Sequence, residues 1–189
     1  MILALLALAL LGARSALAHG SHHHHHHHGD GHDHGHDHGH DEQPAQEGWG
    51  PYAWRSLAEG EAESKATGKP IMLVISKTWC SACKALRPKF AASAAIAAEA
   101  PGFVMVHTVD DEEPKEELYK PGGAGYIPRV LFLAPGGGSL LDVTSGNSKY
   151  AYFYGDDGAI ASAMRTASAK SASASKVDAE FLGEAAQDL

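Results

Sequence analysis

Cysteine is nearly missing from this chain: 189 residues carry two, Cys80 and Cys83, three positions apart. Histidine is missing from most of it, because 13 of the 14 lie between His19 and His40 and only His107 falls in the body. With no second cysteine pair, and with His107 set in an apolar strand pattern, a Cys/His zinc centre is disfavoured. Clusters of Lys and Arg are absent and the net charge is −8, which argues against nucleic acid as a partner. The apolar run Met1 to Leu11 is too short to span a bilayer but has the length of a signal core. It leads into Ala16-Leu17-Ala18, an A-x-A cleavage pattern, so residues 1–18 read as a secretory signal peptide with a mature chain starting at His19. No Lys or Arg precedes that run, so only the α-amino group supplies positive charge there. The alternative, a buried N-terminal helix, would have no polar face.

Residues 19–47 contain no large apolar side chain, so nothing offsets the entropy of ordering them, and a His-rich disordered tail is expected. Ser21 to His28 ends in seven consecutive histidines, and Gly29 to Asp41 is built from Gly-Asp-Gly-His and Asp-His-Gly-His repeats. Neutral imidazoles among carboxylates at this density suit Zn²⁺, Cu²⁺ or Ni²⁺ in many equivalent weak arrangements. The candidate ligands are His22, His23, His24, His25, His26, His27, His28, His32, His34, His36, His38 and His40. Gly20-Ser21 with His22 to His28 also reads as an engineered tag. Against that stand the Asp-His-Gly repeats and the position directly after the cleavage pattern.

The body begins near Trp49, and with 44% hydrophobic residues overall the chain can bury a core of ordinary size. Tyr52 to Lys65 has a helical pattern stopped by Thr67-Gly68-Lys69-Pro70, and Ile71 to Ser76 is an apolar strand of the kind buried on both faces. Ser81 to Ala100 reads as a helix with Pro88 as an internal breaker and Pro101-Gly102 as its stop. Phe103 to Val109 alternates as a strand, and Asp110 to Lys120 is an acidic connection with a short helix from Pro114. Arg129 to Leu133 and Leu140 to Val143 read as strands around Pro135-Gly136-Gly137-Gly138. Asp156 or Asp157 can cap a last helix from Ala159 to about Ala169. This order predicts a mixed sheet covered by helices on both faces. From Ser171 the chain is an Ala/Ser-rich, weakly patterned tail.

Trp79-Cys80-Ser81-Ala82-Cys83-Lys84 stands where the strand pattern gives way to the helical one. Cys80 is then at a helix N-terminus, where unpaired N–H groups and the helix dipole favour an anion. A thiolate there has a lowered pKa and is the reactive form. Cys83 lies one turn on, close enough to close a small disulfide ring, so the pair reads as a reversible dithiol/disulfide switch. Two buried structural thiols, or half of a zinc site, are the alternatives. Behind a signal peptide the pair works in an oxidising compartment, where a lone C-x-x-C is a catalytic candidate.

Across about residues 50–170 the chain resembles the thioredoxin superfamily. The shared features run in order: a buried strand, Trp79-Cys80-x-x-Cys83-Lys84, Pro88 in the following helix, a further strand, and Tyr126-Ile127-Pro128 opening the next. Within that superfamily, Trp79 to Phe90, Phe103-Val104-Met105-Val106, Asp111-Glu112-Glu113-Pro114 and Gly125 to Arg129 resemble the small single-domain thioredoxin proteins of the endoplasmic reticulum, to which the anterior-gradient group belongs. The resemblance implies a thioredoxin-like three-layer α/β fold over residues 48–170, with a mixed central sheet flanked by helices and disordered extensions on both sides, residues 171–189 forming the C-terminal one. It implies Cys80 as the attacking cysteine, exposed by the geometry of its turn, and Cys83 as the resolving cysteine of a mixed disulfide. It further implies Pro128 as a cis-proline facing the pair, the Ile127 backbone free to take an extended client as an added strand, and Trp79 beside the disulfide. The plainer readings are a strand-entry proline for Pro128 and a core residue for Trp79.

Two departures stand out. The carboxylate that many thioredoxins carry six residues before the first cysteine is Val74 here, so deprotonation of Cys83 needs another group or water. The intervening dipeptide, Ser81-Ala82, has neither histidine nor proline, which implies a reduction potential between roughly −270 and −180 mV. Anterior-gradient proteins often lose one cysteine; this chain keeps both. Its last residues, Ala186-Gln187-Asp188-Leu189, loosely echo an endoplasmic-reticulum retrieval signal.

The reading that follows is a thiol–disulfide oxidoreductase of the endoplasmic-reticulum lumen, or a secreted one. It acts on protein thiol and disulfide clients, with glutathione as a small-molecule partner. No cofactor is required for the redox step, no membrane contact is expected after signal removal, and a monomer is expected. The alternatives are a metal-binding protein acting through its His-rich tail, and a client-binding module that does not turn over.

Overall fold

A computed structural model of the chain describes the backbone of residues 48–185 and the side chains of residues 48–174. The expected signal peptide, the tail 19–47 with all its candidate metal ligands, and Ala186–Leu189 lie outside the described residues.

The strand Ile71–Ser76 (β1) is almost wholly apolar, and all six of its residues are buried. Such a strand needs a partner on each edge and cover on each face. Val104–Val109 (β2) pairs with one edge in parallel and Arg129–Leu133 (β3) with the other antiparallel, giving the order β2-β1-β3. The parallel connection requires a crossover, supplied by the helices Ser81–Ala92 (α2) and Ala94–Glu99 (α3). Two-residue alternation then sorts the sheet into two faces. Met72, Val74, Met105, Val130 and Phe132 pack with Leu86 and Phe90 of α2, Ile96 of α3, and Ile160 and Met164 of the last helix, Asp157–Ala185 (α4). Ile71, Leu73, Val104, Val106, Leu131 and Leu133 pack with Tyr119 and with Leu57 of the first helix, Leu57–Thr67 (α1). The result is the expected three-layer α/β architecture with a mixed sheet.

Several elements begin or end elsewhere than the sequence suggests. The first helix starts at Leu57 rather than near Tyr52, because Ser56 and Glu59 form a capping box there. The residues before it serve the sheet instead: Arg55 bridges Val106 in parallel, its N–H donating to Met105 O at 2.9 Å. α1 lies close enough on β2 that a Cβ at Gly60 would come within 2.2 Å of Val106 Cγ2. The long second helix breaks not at Pro88, which stays inside α2, but at Ser93, whose extended backbone ends one helix and whose Oγ accepts from Ile96 N to start the next. The acidic connection holds two 3₁₀ turns, Asp110–Glu112 and Glu117–Tyr119, in place of a helix from Pro114.

The expected strand Leu140–Val143 shrinks to a single bridge between Leu133 and Leu140. Asp142, with φ 51°, turns the chain out of an extended path, and Tyr152 O accepts from Val130 N in its stead. Asp156, not Asp157, caps α4, its Oδ1 accepting from Ala159 N at 2.8 Å. α4 continues to Ala185, which corrects the expectation of an unstructured extension over residues 171–185. Alanine is the strongest helix former, and an Ala-rich stretch already in a helix needs little patterning to carry on.

Candidate active site

β1 ends at Ser76, and the turn Lys77–Trp79 delivers the chain to α2 with Cys80 as its N-cap. Cys80 has extended backbone angles, and its Sγ accepts from Cys83 N at 3.1 Å, the position an oxygen side chain occupies in an ordinary cap. A sulfur so placed receives a helix N–H and the positive end of the helix dipole, so a thiolate there is favoured. Cys80 and Cys83 are joined in a disulfide, with Cα atoms 5.3 Å apart. Across from α2, the Ile127–Pro128 peptide is cis, and Ile127 O lies 3.7 Å from Cys80 Sγ. A reduced Cys80 thiol could donate to this carbonyl.

Cys80 is 5% exposed and Cys83 4%. The expected exposure of Cys80 is therefore corrected: Ile127 packs on the cluster that holds both sulfurs, and the helix cap, not accessibility, distinguishes them. Trp79 is 73% exposed beside them, so it is no core residue.

The two loops that meet at the disulfide are tied by buried charge. Arg129, with no exposed surface, donates to Tyr126 O at 2.8 Å and to Glu113 Oε1 at 2.5 Å. Glu113 also pairs with Lys77 at 2.7 Å, and Lys77 Nζ donates to Asp110 O. Asp110 Oδ1 in turn accepts from Thr78 N at 2.9 Å. Burial alone would raise the Glu113 pKa; hydrogen bonds from Lys77 and Arg129 outweigh it and hold the carboxyl below its usual range. This chain of contacts fixes the turn before Cys80 against the Ile127 loop.

On the inner side of α2 a cleft of about 240 Å³ is lined by Cys83, Ser76, Lys84, Arg87, His107 and Trp49, among others. His107, 3% exposed, lies with its ring against Trp49 and Trp54 at centroid distances of 5.1 and 5.6 Å. Its Nε2 is 2.7 Å from Ser76 Oγ, and Nδ1 meets no hydrogen-bond partner among the described residues. We assign the tautomer in which Nε2–H donates to Ser76, since a lone pair is easier to leave unpaired in the interior than an N–H. Burial, and then the charge of Arg87, pushes the His107 pKa down to about 4.

Of the residues singled out from sequence, Trp79, Cys80, Cys83, Ile127 and Pro128 thus come together at one end of the sheet, while the candidate metal ligands His22–His28, His32, His34, His36, His38 and His40 lie outside the described residues. The pattern reading passed over Lys77, Glu113, Arg129, Ser76 and His107 as parts of the site. Two of them carried a signal: His107 and Arg129 are polar side chains in apolar strands, and a polar group buried in a strand needs a partner.

A sequence model of the family described as Thioredoxin-like matches residues 53–135. Anterior gradient protein 3 of Mus musculus is 29% identical over 115 residues, 59% of this chain and 68% of that protein. Anterior gradient protein 2 homolog of Homo sapiens is 30% identical over 114 residues, 59% and 63% of the two chains. Anterior gradient protein 3 of Xenopus tropicalis is 30% identical over 117 residues, 59% of this chain and 68% of its own. The chain thus spans about two thirds of the length of these relatives. A solved structure of DsbH Oxidoreductase overlays with a TM-score of 0.46 at 20% identity, covering 66% of this chain and 90% of that one. With the matched family residues running through the strand, the cysteine pair and the Ile127–Pro128 loop, the chain belongs to the thioredoxin-like family, among the relatives of the anterior-gradient proteins.

Proposed function

We propose that this protein is a thiol–disulfide oxidoreductase of the secretory pathway that exchanges disulfides with protein clients through Cys80. The observation that carries the proposal is the position of Cys80 as N-cap of α2, bonded to Cys83 and 3.7 Å from the Ile127 carbonyl. Attack by the Cys80 thiolate on a client disulfide gives a mixed disulfide, and attack by Cys83 releases the client thiol. The exposed ring of Trp79 offers an apolar contact beside the pair, and the Ile127 backbone an edge on which an extended client segment can lie. The secretory assignment, lumenal or secreted, is supported by the signal pattern of residues 1–18 and by Ala186–Leu189. Turnover needs no metal; the histidines between His19 and His40 would give a separate affinity for Zn²⁺, Cu²⁺ or Ni²⁺.

Insulin reduction by the full chain and by a chain lacking residues 19–47 tests this reading. Equal activity of the two is expected. Absence of reduction by both, with client held as a stable adduct on wild-type protein, would replace it with a binding module. Activity confined to the longer chain loaded with zinc would replace it with a metal-dependent role for the tail.

A further inference from the structure

Cys83 must lose a proton before it can attack, and it is buried with no carboxylate among the described residues lining its cleft. Those residues include Ser76, Lys77, Thr78, Lys84, Arg87 and His107. At neutral pH the cations have no free lone pair, and the hydroxyls are far too weak as bases. That leaves one group. We propose that His107, held by Ser76, is the proton acceptor for Cys83 in the step that resolves the mixed disulfide. The proposal rests on the reading above, in which Cys80 attacks and Cys83 resolves.

The groups facing the ring are specified by the fold. His107 is the register partner of Val74 in the pairing of β1 and β2, which sets its ring on the α2 side of the sheet with Met72, Val74 and Cys83. Trp49 and Trp54 flank it, Ser76 of β1 holds Nε2, and Arg87 of α2 is the nearby charge, with Lys84 and Lys77 on the same cleft. In the assigned tautomer the Nδ1 lone pair is unoccupied by any donor among the described residues. The cleft has room for bridging water, which takes about 30 Å³ per molecule in the liquid. Burial and Arg87 keep the ring neutral, and so able to accept, throughout the neutral range. A thiolate forming at Cys83 adds an opposite charge on the same cleft, which raises the basicity of the ring at the moment it is needed; Lys84 and Arg87 favour the same thiolate.

The Cys83 proton passes to His107 Nδ1 through water in the cleft, and the thiolate attacks Cys80 Sγ. The Cys80–client S–S bond breaks as the Cys80–Cys83 bond forms. The client sulfur leaves with the electron pair and takes up a proton, so the client is reduced and the dithiol oxidised by two electrons. The imidazolium returns its proton to solvent through the cleft.

The test is a rapid-mixing reaction of the reduced full chain with an aromatic disulfide that releases a coloured thiolate. The first release reports attack by Cys80, and the second reports resolution by Cys83. For His107→Gln and Ser76→Ala the first phase is expected to be unchanged. The second should slow about tenfold or more for His107→Gln, and less for Ser76→Ala, below the ordinary thiol pKa of about 8.5, and converge on wild type at higher pH where Cys83 ionises unaided. A second phase equal to wild type across the pH range, or slowing that persists undiminished at high pH, would overturn the role of His107. Loss of the first phase in wild-type protein would overturn the proposed function instead. Should His107→Gln not fold, Ser76→Ala decides, together with the pH dependence of Cys83 alkylation in Cys80→Ser against the Cys80→Ser, Ser76→Ala double variant. An unshifted alkylation profile in that pair counts against the proposal.

Discussion

Arg129 and Glu113 form an ion pair at 2.5 Å in which the guanidinium has no exposed surface and the carboxylate side chain is 19% exposed. The pair joins the strand that begins beside Pro128 to the loop that follows β2, and through Lys77 it reaches the turn that carries Cys80. The geometry of the disulfide therefore depends on charge buried beneath it as well as on the helix that caps it.

Removing one partner of this pair should be costlier than removing the whole arrangement. Glu113→Ala leaves a buried guanidinium with less compensation and is expected to destabilise the fold by about 2–3 kcal/mol, at or below the low end of what breaking a fully buried pair costs, because the carboxylate is partly solvated. The Arg129→Met, Glu113→Met double variant should be closer to wild type than Glu113→Ala. Urea unfolding of the three proteins measures this, and equal midpoints for Glu113→Ala and wild type would show that the pair is not what holds the loops.

The two cysteines should part in single substitutions. Cys80→Ser is expected to abolish disulfide exchange, because the sulfur at the helix cap is the nucleophile. Cys83→Ser should still attack and then accumulate client as a mixed disulfide, since nothing remains to resolve it. Mass spectrometry after mixing each variant with a disulfide-bonded client reads both outcomes. Trapping on Cys80→Ser would reverse the assignment.

Gly60 should resist replacement although it sits inside a helix. Alanine there gains about 1 kcal/mol in helix propensity, but its Cβ would come within 2.2 Å of Val106 Cγ2, an atom on a stiff β-branched side chain. Overpacking of this kind costs about 1–3 kcal/mol. Gly60→Ala should therefore lower stability, whereas Gly102→Ala, where no atom of the described residues lies within 4 Å of the added carbon, should not lower it through any clash. Thermal unfolding of the two variants distinguishes them, and a stabilised Gly60→Ala would mean that α1 can move off β2 without penalty.

Acid should weaken the fold through His107. The unfolded chain takes up a proton at this residue near pH 6.5, and the native protein does not until about 4. Between those values the unfolded state binds more protons, so the contribution is fully present above about pH 6.5 and is lost as pH falls towards 4, by roughly 3 kcal/mol. Glu113, whose carboxyl is held below its usual range, adds a loss in the same direction at lower pH. Denaturant unfolding at several pH values should show the slope in wild type and a shallower one in His107→Gln. Parallel curves would place the acid sensitivity elsewhere.

Local pattern alone was enough for much of this protein. The almost wholly apolar run Ile71–Ser76 could only be a central strand, the Thr67-Gly68 stop ended a helix within two residues of where it ends, and the shift from strand to helix period placed Cys80 at a helix start. These are properties of a few neighbouring residues, and neighbours in sequence specify them. What tertiary structure decided lies between segments far apart in the chain. Tyr52–Arg55 looked helical but serves the open edge of β2, because unpaired edge groups elsewhere in the sheet outweigh a weak local preference. Leu140–Val143 looked like a strand, but Asp142 turns it away after one bridge. The partners of the redox pair were least legible: Arg129, Glu113, Lys77, Ser76 and His107 are ordinary polar residues in sequence. They matter only because the pairing of β1 with β2 and β3 removes them from water and obliges each to find another in the interior.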